Sequence, residues 1–365
     1  MSLKHQIIDS FDPNGVSTYN SLFGLPFDEI TAELIIIPVP WEVTVSYSPG
    51  TADGPEAILN ASMQVDLFQD DIKDAWKMGI HMLTIPEEIA NKSSNFRILA
   101  KNYIDWLEKG APEVELERFA AVPDLINKAS AEMNDWVYEQ AKKYRSQGKM
   151  VALLGGDHST PLGLIKALAD DHDNFGILQI DAHADLRVAY ENFEYSHASI
   201  AYNALKFPQI SKLVQVGIRD YCEAEAIMAK ENNRITTFYD KEIKKESYEG
   251  KAWKIICDEI VEQLPQEVYV TIDIDGFDPK LCPNTGTPVA GGFELDQIMY
   301  LVREVVKSGR RLIGFDLVEV APGPEGDEWD GNVGARILYR MANLYGASQG
   351  RLNLKYLNLI GTLHL

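Results

Sequence analysis

Cysteine is scarce, with only Cys222, Cys257 and Cys282 and no CxxC spacing among them. An odd, unpatterned set argues against a disulfide framework and fits reduced thiols in a cytoplasmic protein. Positive charge is also short: 34 Lys and Arg against 55 Asp and Glu leave a formal net charge of −21. With no basic patch to offset it, that balance argues against nucleic acid or an anionic membrane as a main partner. It mildly favours the approach of a small cation. The longest apolar run, "LIIIPVPW" at 34–41, is far too short to span a bilayer and contains two prolines. The opening "MSLKHQIIDSFDPNG" lacks the apolar core of a secretion signal. Internal repeats, low-complexity tracts and Pro/Gly/Ser-rich linkers are missing too, so one domain over 1–365 is expected.

What is present is alternation. Short β-branched runs begin at Glu33, Met150, Phe175, Lys212, Arg234, Glu267 and Arg311, and a last one, "YLNLIGTLHL", closes the chain. Runs apolar on both faces suit strands covered by helices on both sides. Between them lie amphipathic stretches such as 124–149, which ends in a basic turn and Gly148. In "GPEAILNAS", Pro55 marks a helix start. The pattern predicts an α/β fold on a mainly parallel sheet of about eight strands. About 1–33 form an N-terminal extension, and the charged segment 85–120 is an insertion away from the sheet.

Three of these strands end in groups of metal-ligand type. "MVALLG" runs into "GGDHST", with Asp157 and His158; "FGILQI" runs into "DAHADLR", with Asp181, His183 and Asp185; "EVYVTI" runs into "DIDGFDP", with Asp273 and Asp275. Residues two apart on a strand share a face, so Asp181 pairs with His183 and Asp273 with Asp275. Open parallel sheets bind ligands beyond the carboxyl ends of their strands. A lone DxH or DxD is usually a solvated or capping loop, and Asp157 suits an orienting or capping role better than ligation. Gly155 and Gly156 are as well explained by a tight turn as by a phosphate cradle, since no Lys follows to make a P-loop. The coincidence at three strand ends carries the case. Clustered aspartates without counter-charge repel, and several are forced to protonate. Two divalent cations would cancel four carboxylates and leave two neutral imidazoles as ligands. Carboxylates with imidazole suit Mn(II) best, with Ni, Co, Fe or Zn as alternatives.

In order and spacing these motifs resemble the signatures of the arginase/agmatinase/formiminoglutamase (ureohydrolase) family. The likeness runs from about Leu34 to the C-terminus and takes in "GTADGPEAI" and "GFDLVEVAPG". It implies a three-layer α/β/α sandwich on an eight-stranded parallel sheet, assembled as trimers or hexamers. It implies His158, Asp181, Asp185 and Asp273 around one Mn(II), and His183, Asp181, Asp273 and Asp275 around the other, with Asp181 and Asp273 bridging. Glu319 matches the acid that pairs with a guanidinium, and His197 in "YSHAS" a proton-shuttling histidine. Without the resemblance, Glu319 reads as a strand-end salt-bridge partner and His197 as a helix-start residue after Ser196. The implied reaction is hydrolysis of a guanidino C–N bond to urea and an amine, with Asp185 or His197 delivering the proton.

The residues with which arginases grip the head of arginine correspond here to Arg187, Phe193 and Cys222, so that clamp is missing. Agmatine is therefore the expected substrate, with guanidinobutyrate, guanidine, arginine and formiminoglutamate as alternatives. Trp41 and Tyr47, in "PWEVTVSYSPGT", fall on a loop expected to border the site, where they would either narrow the pocket or pack the loop. Two rival readings stand further off. A metallophosphoesterase would need its DxH motif first and a later GNH, which the chain lacks. A non-catalytic relative would be expected to have lost some of these ligands.

Overall fold

The computed structural model describes residues 2–16, 20–324 and 327–355. Eight strands form one sheet: β1 (Leu34–Val39), β2 (Ile80–Met82), β3 (Met150–Gly155), β4 (Phe175–Ile180), β5 (Ile210–Ile218), β6 (Ile235–Tyr239), β7 (Glu267–Asp273) and β8 (Arg311–Val318). Their order is β2-β1-β3-β8-β7-β4-β5-β6, and every pairing is parallel. Seven of the strands match the apolar runs of the sequence. The eighth does not: β2, three residues long, takes the edge position beside β1. The strand expected in "YLNLIGTLHL" lies outside the described residues.

The helices are α1 (Leu3–Ser10), α2 (Gly54–Ser62), α3 (Glu87–Glu108), α4 (Leu116–Phe119), α5 (Val122–Arg145), α6 (Leu162–Asp171), α7 (Ile200–Ala204), α8 (Glu223–Glu231), α9 (Asp240–Tyr248), α10 (Trp253–Glu262), α11 (Leu295–Lys307) and α12 (Trp329–Ser348). Residues of β1, β3 and β4 are buried without exception, so helices cover both sheet faces. Helix α5 ends within the stretch read as helical, and Gly148 just beyond it takes a left-handed φ of 74°. Segment 85–120 contributes α3 and α4 and no strand. Its two helices are joined by stacking of Trp106 on Phe119, ring centroids 5.2 Å apart. In the N-terminal stretch, Leu22, Phe23, Leu25 and Phe27 enter the core.

Register is what makes the site. Leu154 pairs with Leu317, Ile272 with Leu317, and Ile180 with Ile272. The four central strands β3, β8, β7 and β4 therefore end nearly level, and the polar residues that follow each one emerge over the same edge. Two glycines let these loops close. A Cβ on Gly156 would meet the Trp41 carbonyl oxygen at 1.9 Å, and one on Gly276 would meet the Asp181 backbone nitrogen at 2.8 Å.

Candidate dinuclear metal site

His158 follows β3 and is buried. Its Nε2 lies 2.8 Å from Thr271 Oγ1, and Thr271 donates its own proton to Asp316 Oδ1 at 2.8 Å. Tyr269 OH donates to the other Asp316 oxygen at 2.5 Å. Because the Thr271 proton is committed, its oxygen accepts from His158, and the imidazole carries its proton on Nε2. Nδ1 is left as the buried nitrogen that faces the carboxylates, sharing a proton with them in the unloaded protein and open to a metal ion in its place. Around it stand Asp185 Oδ2 at 3.0 Å, Asp181 Oδ2 at 3.1 Å and Asp273 Oδ2 at 3.2 Å. Ligands about 2.1 Å from a shared cation and at right angles stand about 3 Å apart, the spacing seen here. The donor set fits a divalent ion.

A second group lies beside the first. His183 Nδ1 is 3.0 Å from Asp275 Oδ2 and 3.7 Å from Asp181 Oδ1. Asp181 belongs to both groups, His158–Asp181–Asp185 and Asp181–His183–Asp275. Its carboxylate is aimed by Gln179 Nε2 on Oδ2 (2.9 Å) and by the His183 amide on Oδ1 (2.7 Å). Asp273 Oδ1 accepts the Asp275 amide at 2.9 Å while Oδ2 faces His158. Asp275 Oδ1 accepts the Ala182 amide at 3.0 Å. The structure thus brings together all six residues read as ligands. Asp157 stands apart, its Oδ1 taken by the Ser159 amide and hydroxyl at 2.9 and 2.5 Å.

The titration behaviour reflects the crowding. Burial, then the Asp181 charge, pushes Asp185 up to about 7. Burial also drives Asp273 and Glu319 well above the carboxylate range, helped by Asp275 and Asp157 respectively. Burial alone would lower both imidazoles, but the surrounding aspartates hold His158 and His183 well above the usual histidine value. Burial works against Asp275 as well, and the adjacent His183 brings it down to about 2. Divalent ions would do the same work as these shared protons.

Glu319 follows β8. Its Oε1 accepts the His158 amide at 2.8 Å, and its backbone N–H donates to the Gly156 carbonyl at 2.8 Å. Glu319 and Asp185 have left-handed φ values of 62° and 53°. Strain of that kind, of order 1–3 kcal/mol per residue, tends to collect at functional sites. His158, His183, Asp185, Asp273, Glu319 and His197 all line a cavity of about 400 Å³, with Arg187, Tyr190, Asp220 and Tyr221 further along its wall. The Arg187 guanidinium lies 4.7 Å from the Tyr190 ring centre. The loop borders the site through Ser46, but its aromatics do not narrow the pocket, and Trp41 takes the packing role instead. Trp41 is fully buried in the core, Tyr47 is exposed, and neither lines the cavity.

Thr271, Asp316 and Gln179 were not singled out from the sequence. The available signals were Asp316 and Gln179, a charged and a polar residue inside otherwise apolar strands.

A parallel α/β sheet with buried carboxylates and imidazoles gathered at its carboxyl edge defines a metallohydrolase architecture. The model of the Arginase family matches residues 32–343. The N(1)-aminopropylagmatine ureohydrolase of Thermus thermophilus is 30% identical over 330 residues, 90% of this chain and 94% of the relative. An agmatinase of Neisseria meningitidis is 31% identical over 324 residues, 88% and 90% of the two chains. The agmatine ureohydrolase of Thermoplasma volcanium superposes with a TM-score of 0.65 at 18% identity, covering 95% and 99%. The chain belongs to the arginase family, and it is a metal-dependent hydrolase of linear amidines.

Proposed function

We propose that the protein is an agmatinase-like ureohydrolase, cleaving agmatine to urea and putrescine at a dinuclear manganese centre. The observation that carries this reading is the pair of ligand groups sharing Asp181, set against a cavity that also holds Glu319 and His197. His158, Asp181, Asp185 and Asp273 would hold one ion, and His183, Asp181, Asp273 and Asp275 the other. When bound, the two ions supply a water nucleophile at neutral pH and Lewis acidity toward the amidine carbon.

The remaining steps fall to side chains. Glu319 is fixed by the His158 amide, and its other oxygen is free for the N–H groups of a guanidinium, a bidentate donor suited to carboxylates. A cationic substrate there favours the ionised acid against the burial that raises it. His197, or Asp185, gives the leaving nitrogen its proton. The missing arginine-head clamp, with Arg187, Phe193 and Cys222 at its positions, supports a substrate without an α-amino acid head. We further propose a cytoplasmic homo-oligomer, trimer or hexamer. The unpatterned cysteines support the compartment, and none of the described helices is long and apolar enough to cross a membrane.

The experiment is urea release from agmatine, aminopropylagmatine, guanidinobutyrate, guanidine, arginine and formiminoglutamate, with enzyme loaded separately with Mn and Ni. Fastest turnover of agmatine with Mn supports the reading. Preference for another compound reassigns the substrate, and no urea from any of them overturns it.

A further inference from the structure

We propose that Thr44 is the positioning residue of His197, holding the Nδ1 edge of its ring so that Nε2 is presented to the substrate. The proposal rests on the role given to His197 above. Thr44 is fully buried, and its hydroxyl lies 3.4 Å from His197 Nδ1 and accepts the His197 backbone N–H at 3.2 Å. These two contacts come from one atom, so ring and backbone of His197 are referenced to the same point. Ser196 Oγ also stands 3.4 Å from Nδ1, but it accepts the Ala198 amide at 3.2 Å and belongs to the same turn as the histidine. Thr44 comes from a separate loop, 153 residues away in the chain. Nε2 has no partner among the described residues, on a side chain that lines the cavity.

A hydroxyl suits this place because its oxygen has two lone pairs, one for the His197 backbone N–H and one for the ring. A ring that takes and gives a proton at Nε2 keeps its other proton on Nδ1 in both states, and the Thr44 oxygen accepts that proton in each. The contact therefore persists through both states of a proton shuttle, and the ring need not turn. Burial, followed by the charges of His183 and His158, depresses the His197 imidazole to about 3, so the resting ring is neutral and orientation decides what it offers.

Thr44 is itself held by the insertion. The Glu42 amide donates to Ser93 Oγ at 3.0 Å, and Arg97 Nη1 donates to the Val43 carbonyl at 3.4 Å, both from α3. Glu42 then folds its own loop by accepting the Gly50 and Ala52 amides at 2.7 and 3.1 Å. In the loop leading to His197, Asn192 Nδ2 donates to Tyr103 OH at 2.7 Å, so α3 ties down both loops whose meeting point is Thr44–His197.

The test is Thr44→Val, which keeps the shape and removes the hydroxyl, with Thr44→Ser as the conservative partner. In the metal-loaded enzyme, Thr44→Val is expected to lower kcat about 10- to 100-fold with KM and metal content little changed. Thr44→Ser restores most of the rate. In a His197→Ala background, Thr44→Val adds no further loss. An equal loss in both backgrounds, or a loss that follows metal content, overturns the proposal. Independently of turnover, ¹⁵N spectra of the histidine rings in unloaded protein should show the His197 Nδ1 resonance shifting in Thr44→Val and returning in Thr44→Ser. An unshifted resonance overturns the contact itself. A shifted resonance in an enzyme whose rate is indifferent to His197→Ala keeps the contact and refutes the catalytic role on which it was placed.

Discussion

Thr271 fixes the protonation site of His158 from 2.8 Å away, because the threonine's own proton is already given to Asp316. The imidazole then faces the three carboxylates with Nδ1 alone, which shares a proton with them in the unloaded protein and gives it up when an ion binds. Losing this support should weaken metal binding without unfolding the sheet. Thr271→Val or Asp316→Asn is expected to cost about 10- to 100-fold in affinity for the ion at His158, read by competition with a chelating dye. Unchanged affinity would mean that the tautomer is not set by this chain of bonds.

Asp181 lies in both ligand groups and Asp275 in one. Asp181→Ala is therefore expected to empty both positions and abolish turnover, whereas Asp275→Ala should leave one ion per chain. Elemental analysis after desalting distinguishes them. One fully occupied ion with activity retained in Asp181→Ala would count against bridging.

Stability of the unloaded protein should fall as pH rises from about 4 to about 8. Burial, then Asp181, holds Asp185 at about 7, so the folded state keeps a proton that an unfolded Asp, near 3.8, has released. His158 and His183, raised despite burial by their aspartate neighbours, add a contribution that is intact below about 6.5 and lost as pH climbs through their folded values. More protons bound in the folded than the unfolded state means stability decreasing with pH. Asp275, brought to about 2 by His183 against burial, has the opposite sign, but only below about pH 4. Metal needs deprotonated ligands, so loading should reverse the trend. Thermal melts across that range with and without Mn check it.

His197→Ala should leave both ions in place and slow turnover by about 10²- to 10⁴-fold, the usual worth of a positioned acid or base. Metal content and kcat measured on the same preparation separate this from a ligand role.

Much of this was legible before the structure. The ligand motifs could be read because period-two spacing on a strand is a local property, and Asp181, His183, Asp273 and Asp275 declare it. Their convergence is a matter of register between strands far apart in sequence, such as Ile180 with Ile272, which only motif order and family likeness foretold. Strand β2 was missed because three residues are too few to display a period. Of the two roles open to Trp41 the structure shows the packing one, its loop turning inward over Gly156, a choice that no local pattern encodes. Thr44, Thr271 and Asp316 act through partners distant in the chain, and a lone Thr in an apolar run has no signature.

Titrating metal-stripped enzyme with Mn while following bound ions per chain and urea release from agmatine bears most directly on the shared-aspartate centre. Activity should rise with occupancy and level off at about two ions per chain, the number that two ligand groups around one aspartate accommodate. Full activity with no ion bound, or a plateau at one, would contradict a dinuclear hydrolase.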